Sequence, residues 1–178
     1  MKNKTIFKNL NCFFVFLSVM IISSLLSLSG CKGYSTESLY PSNVRSVRVE
    51  MFDNQTFWRG IEYPLSNSLS KRIEALTPYK VITSKDRADT VISGQIVSVG
   101  QNVLVLERQI GRTLENEVKL SAVVNWQDLK TGQMLIDNET VEASASYSPW
   151  LDQSFEYAYT LAANKLADNI VEQMEKKW

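Results

Sequence analysis

The chain has 178 residues, 19 Lys and Arg against 19 Asp and Glu, two cysteines and no histidine. A formal charge of zero argues against a nucleic-acid partner held by bulk electrostatics. The absence of histidine removes the commonest general base and metal ligand, and at this length one domain is the expectation.

Lys2, Lys4 and Lys8 precede an apolar run from Phe13 to Leu28, with no acidic residue before Glu37. A basic start followed by an apolar run shorter than the roughly 20 residues of a spanning helix reads as an export signal over residues 1–30. Its end, Leu28-Ser29-Gly30-Cys31, resembles the bacterial lipobox. The small pair admits the peptidase between Gly30 and Cys31, and a thiolate is the nucleophile that a thioether to diacylglycerol requires. The resemblance implies three acyl chains on Cys31, which anchor stably where one chain would give only marginal residence. Removing residues 1–30 also removes Cys12, so the mature chain has no possible internal disulfide and three excess negative charges. Such a chain must be held together by a hydrophobic core.

Residues 31–43 form the expected lipidated tether: polar, aperiodic, with Gly33 and Pro41, and about 40 Å long when extended. The folded domain is expected over 44–178. Alternation from Val44 to Met51 predicts a strand ending at Asp53-Asn54. Ile61, Leu65, Leu69, Ile73 and Leu76 share one helical stripe, with Pro64 tolerated in the first turn and Thr77-Pro78 closing the helix. Tyr79 to Thr83 is a short strand before the charged turn Ser84 to Arg87. Thr90 to Val99 and Val103 to Glu107 read as two strands, with Gly94 marking a bulge or close backbone approach. Alternation from Val118 to Trp126 is the cleanest in the chain. The turn Asp128 to Gly132 then sends Met134 to Ala145 back antiparallel, with glycine where a positive φ is expected. From Asp152 to Lys177, the residues Phe155, Tyr159, Ala162, Leu166, Ile170 and Met174 mark a second helix, capped by Asp152 or by Gln153-Ser154, with Lys176 and Lys177 suiting its C-terminal dipole. The expected fold class is α+β: a two-layer sandwich, two helices on one face of a mostly antiparallel sheet of four to five strands.

No motif for catalysis, cofactor or metal emerges. The pairs Glu115 with Glu117 and Asp86 with Asp89 are expected to be solvated surface. Arg108, Arg112 and Lys119, around Gly111, are candidate contacts for an anionic lipid head group such as that of lipopolysaccharide, although the interleaved Glu107, Glu115 and Glu117 suit an ordinary polar hairpin tip better. Tyr147, Pro149 and Trp150, with Phe57 and Trp58, form either a partner surface or packing under the sheet.

The residues Gly33-Tyr34 close behind Cys31, Val47-Arg48-Val49 leading to Phe52-Asp53-Asn54-Gln55-Thr56, and Gly60-Ile61-Glu62 opening a helix resemble the LptE family of lipopolysaccharide-assembly lipoproteins. So do Tyr79-Lys80-Val81, Ala88-Asp89 followed by Ile92, Gly94 and Ile96, the run Trp126 to Gly132, and Leu166-Ala167 to Ile170-Val171 with Trp178. The resemblance spans nearly all of the mature chain and implies a non-catalytic plug and assembly factor inside the outer-membrane barrel LptD, in contact with lipopolysaccharide. Lys32 stands between the cysteine and the Gly-Tyr pair. As it is not aspartate, it resembles the residue that follows the cysteine in lipoproteins sorted to the outer membrane. No lipopolysaccharide-contacting residue of the family carries over by motif. Two other readings stand beside this one. Periplasmic lipoproteins that regulate a cell-wall synthase or assemble a secretion pore share the Phe-x-Asn-x-Thr opening, and a carboxylate-based glycan hydrolase would need two facing acids that the sequence does not offer. If the lipobox operates, intact-mass analysis of the membrane-extracted protein finds a chain beginning at acylated Cys31, and Cys31→Ala abolishes both cleavage and acylation; a wild-type chain retaining residues 1–30 would contradict it.

Overall fold

A computed structural model describes residues 38–175. The expected signal peptide over residues 1–30, Cys31 with the start of the expected tether, and Lys176–Trp178 lie outside the described residues. In chain order come β1 (Ser46–Val49), β2 (Asp53–Asn54), α1 (Glu62–Leu76), β3 (Lys80–Val81), β4 (Thr90–Leu106), β5 (Thr113–Asp128), β6 (Met134–Tyr147) and α2 (Phe155–Gln173). Two helices pack against one sheet, so the α+β expectation holds in outline.

The sheet differs from expectation. It has six strands in the order β3-β1-β4-β5-β6, with β2 beside β4, and it is mixed. β1 pairs in parallel with both β3 and β4, and β2 pairs in parallel with β4, while β4-β5-β6 form an antiparallel meander. The reason is the helix: parallel neighbours need a crossover connection, and α1 supplies it between the first strands and β3. The two strands read over 90–107 are one. Gly100, Gln101 and Asn102 stay in the ladder opposite Lys119, Val118 and Glu117, and the register shifts lie on either side of them, between Ile96 and Ser98 and at Val103–Leu106.

α1 buries Leu65, Leu69 and Ile73, spaced by four, with Ile61 just ahead of it. Pro64 sits in the first turn, where a missing N–H costs no intrahelical bond. Leu76, expected on the stripe, is 52% exposed, because Thr77 leaves the helix in an extended conformation. α2 opens on Ser154, whose Oγ accepts the Tyr157 N–H at 3.1 Å. Its buried face includes Ala158, Ala162, Ala163 and Ala167, short side chains that let the helix lie close to its neighbours. Ser68 Oγ donates to Asn164 Oδ1 at 2.5 Å, and Arg72 pairs with Asp168 at 2.9 Å, tying α1 to α2.

Gly94 marks a close approach, as its place in the strand suggested. A methyl group there would overlap the Val123 carbonyl oxygen and the ring of fully buried Phe52. Gly132 takes the expected positive φ, +74°, in the β5–β6 turn, where Asp128 Oδ1 accepts the N–H groups of Lys130 and Thr131. Tyr40, at the end of the segment read as tether, is buried, with its ring 5.8 Å from that of Tyr79, and Tyr79 Oη donates to the Pro41 carbonyl at 3.1 Å.

Asp89 is not the solvated acid it was expected to be. Its Oδ2 accepts the N–H groups of Arg45 and Ser46, both at 3.1 Å, and the Ser46 hydroxyl at 2.9 Å. Its Oδ1 receives Lys130 Nζ from the β5–β6 turn. The lysine hydrogen bond above all, against the penalty of burial and with help from Ser46 and the Arg45 N–H, lowers its pKa from 3.8 to about 2. A folded-state pKa below the unfolded one contributes stability that is complete above pH ~4 and is lost as pH falls toward 2, on the order of 2 kcal/mol before solvent screening is discounted. Chemical denaturation of wild type and Asp89→Asn at pH 7 and pH 2.5 therefore gives a difference that shrinks at the lower pH; a constant difference would deny Asp89 this role.

Candidate interaction surface

The helices cover only part of the long strands. β4 is buried at Thr90, Val91, Ile92 and Ile96, and from Gly100 to Leu106 every residue is exposed. The hairpin closes with Glu107 N–H donating to the Arg112 carbonyl at 2.8 Å and Gly111 N–H to the Glu107 carbonyl at 2.9 Å. Beside it, the helical turn Pro149–Leu151 is fixed to β5 by Ser148, whose Oγ donates to the Leu114 carbonyl at 2.6 Å. A cavity of about 360 Å³ lies between them, bordered by Val105, Leu114, Tyr147, Leu151 and Gln153.

The three candidate cations do not form one patch. Arg112 lies over the ring of Trp150, 4.0 Å from its centroid, and forms an ion pair with Glu107 Oε2 at 2.9 Å. Arg108, at the tip, is exposed, and among the described residues it has no ion-pair partner. Lys119 sits six residues along β5 from Thr113, roughly 20 Å at the strand rise, and pairs with Glu142 of β6 at 2.6 Å. Its two neighbours in β5, Val118 and Leu120, are fully buried under the helices, so alternation turns Lys119 to the opposite face. Glu117 accepts the Ser144 hydroxyl at 2.7 Å on that face and is partly buried.

The aromatic candidates also divide. Trp150 is 63% exposed, whereas Tyr147 is buried and its hydroxyl accepts Gln101 Nε2 at 2.6 Å. Trp58 stacks on Phe155 with centroids 4.1 Å apart, and Phe57 projects fully into solvent. Their loop is fixed by Asn54, whose Oδ1 accepts the Thr56 N–H and hydroxyl and whose Nδ2 donates to the Trp58 carbonyl and to Glu62. Burial raises the Glu62 pKa, but hydrogen bonds from its own N–H, Asn54 and Gly60 outweigh it and leave the carboxyl below its usual value. Asn54 and Thr56 thus do what a strand-to-helix turn asks of them.

Sequence reading missed the exposed apolar length of the hairpin. Its signal was present: Thr90 to Leu106 contains no charged residue, an uncommon feature for a strand that leaves its core. Among the described residues no three potential ligand side chains converge on a metal-sized site. The arrangement offers surfaces for contact.

A family model described as LptE, lipopolysaccharide-assembly, matches residues 44–174. In three dimensions the chain is similar to uncharacterized lipoprotein B from Nitrosomonas europaea, with 16% identity over 80% of this chain and 90% of that one and a TM-score of 0.53. It is also similar to the hypothetical protein CT253 from Chlamydia trachomatis, with 14% identity over 73% and 95% and a TM-score of 0.50. At such identities these two likenesses speak for the fold alone. No curated protein matches the chain in sequence. Since Arg112 precedes β5 and Lys119 lies well along it, a double-mutant cycle with Arg112→Ala and Lys119→Ala gives additive stability changes, within about 0.5 kcal/mol; a larger coupling energy would place them in one cluster.

Proposed function

The chain belongs to the LptE family of lipopolysaccharide-assembly proteins, and from that premise we propose that it is anchored through acylated Cys31 in the outer membrane and serves as plug and assembly factor of an LptD-type β-barrel. The observation that carries this reading is the family match across the whole α+β domain, joined to a lipobox at the expected distance before it. Lipopolysaccharide on its way to the outer leaflet is the ligand that the family points to. Of the three candidate cations, Arg108 is the best placed to meet its phosphates, being exposed at the hairpin tip. Arg112 already serves Glu107 and Trp150, and Lys119 serves Glu142 on the outer face. A role in binding rather than catalysis agrees with a non-catalytic family.

A mild-detergent pull-down of the tagged full-length protein from outer membranes recovers one large β-barrel in near-equal amount, and Cys31→Ala lowers the recovery. Recovery of a cell-wall synthase, or of no membrane partner at all, would instead favour a tethered periplasmic regulator.

A further inference from the structure

Beyond Ile96, β4 has a neighbour on one side only. β1 pairs with Val91 and its flanking residues, β2 with Gln95 and Ile96, and from there β5 alone accompanies β4 to Leu106. Among the described residues nothing covers the other side. Val97–Leu106 therefore presents a row of unpaired peptide N–H and C=O groups about 33 Å long.

Folded proteins blunt such edges with charge, proline, brevity or a covering element, because a bare edge is a template for another strand. This chain protects its other edges. β6 carries Asp137, Glu139 and Glu142, and α2 reaches across it, with Lys165 Nζ donating to the Ser144 carbonyl at 2.9 Å and Asn169 Nδ2 to the Glu142 carbonyl at 2.8 Å. β3 is only two residues long. Val97–Leu106 has no charge, no proline and no cover, and its regularity is broken by three register shifts, at Ile96/Ser98, Val103/Val105 and Val105/Leu106. Val103, Leu104, Val105 and Leu106 are each 42–55% exposed, so side chains on both faces of the strand lack a packing partner.

We propose that Val97–Leu106 is a docking strand, extending the sheet by main-chain hydrogen bonds to an extended, uncharged segment with apolar side chains at alternate positions, contributed by the barrel partner. This rests on the barrel-plug reading. Strand addition draws its affinity from backbone pairing and its selectivity from alternate side chains. A neutral apolar edge offers a charged segment nothing in return for desolvation, so the matching strand is neutral and apolar. A second copy of this chain fits less well. Antiparallel pairing over the full edge would drive the tip residues Glu107–Arg112 of one copy into β2 of the other, since β2 already occupies the place beside Ile96.

The test places a photoactivatable phenylalanine analogue at Asn102, or at Glu139 on the protected edge, in the full-length chain in its outer membrane. In parallel, the double variant Val103→Lys with Val105→Lys is taken through the pull-down and through thermal melting. The expected result is cross-linking to the barrel polypeptide from Asn102 and not from Glu139. The double variant should melt like wild type, yet retain at least about tenfold less barrel. Cross-linking of Asn102 to a second copy or to lipid overturns the proposal, as does wild-type barrel retention by the double variant. A wild-type protein that recovers barrel while Asn102 cross-links to nothing overturns the docking strand alone. One that recovers no barrel overturns the plug reading with it.

Discussion

The carboxylate of Asp89 decides how the two halves of the sheet meet. It stands one residue before β4 and accepts from the backbone at the start of β1 with one oxygen and from Lys130 of the β5–β6 turn with the other. The Asp89 carbonyl also accepts the Leu129 N–H at 2.9 Å, so backbone and side chain hold the same turn. Nothing local in the sequence links Ser46, Asp89 and Lys130, yet each satisfies polar groups that the parallel start of the sheet would otherwise leave without partners. The parallel and antiparallel halves share β4, and Asp89 fixes where that sharing begins.

Element types were legible because they follow from local periodicity, as the four-residue spacing from Ile61 to Ile73 and the alternation of β5 illustrate. Even the loop at Asn54 and the turn at Gly132 could be read from residue chemistry. What could not be read was adjacency. A helix between two short strands favours a parallel crossover, and that inference was open from the order of elements alone, but the meander dominates the chain and pointed to an antiparallel sheet. The continuity of β4 was hidden for a different reason. Gly100 and Asn102 are weak strand formers, and it is the ladder to β5 that keeps them extended.

The same limit applies to the candidate cations. Arg108, Arg112 and Lys119 are close in sequence, but an extended strand separates residues by roughly 3.3 Å each and alternates their faces. Proximity in sequence therefore grouped Lys119 with two residues from which the extended strand separates it. The resemblance to LptE did not depend on such distances. It rested on turn and packing residues such as Asn54, Gly94 and the run Trp126 to Gly132, and the structure shows a physical task for each: a fixed loop, a close approach to Phe52, and a hairpin closed by Asp128.

The length of β4 remains to be explained by something other than stability. Its first seven residues contribute Thr90, Val91, Ile92 and Ile96 to the buried interior, and from Gly100 onward it buries nothing. Ordering each further residue costs on the order of 1–2 kcal/mol of backbone entropy. From Leu104 onward β6 no longer accompanies β5, and a two-stranded ribbon recovers little of that, since isolated ribbons are marginal in water. A hairpin ending near Val103 would keep buried Val118 and Asn116 and remove the apolar tip from Leu104 onward. The chain extends an uncharged strand past its own core while guarding β6 with acids and with Lys165 and Asn169, an asymmetry for which the proposed docking strand supplies a reason.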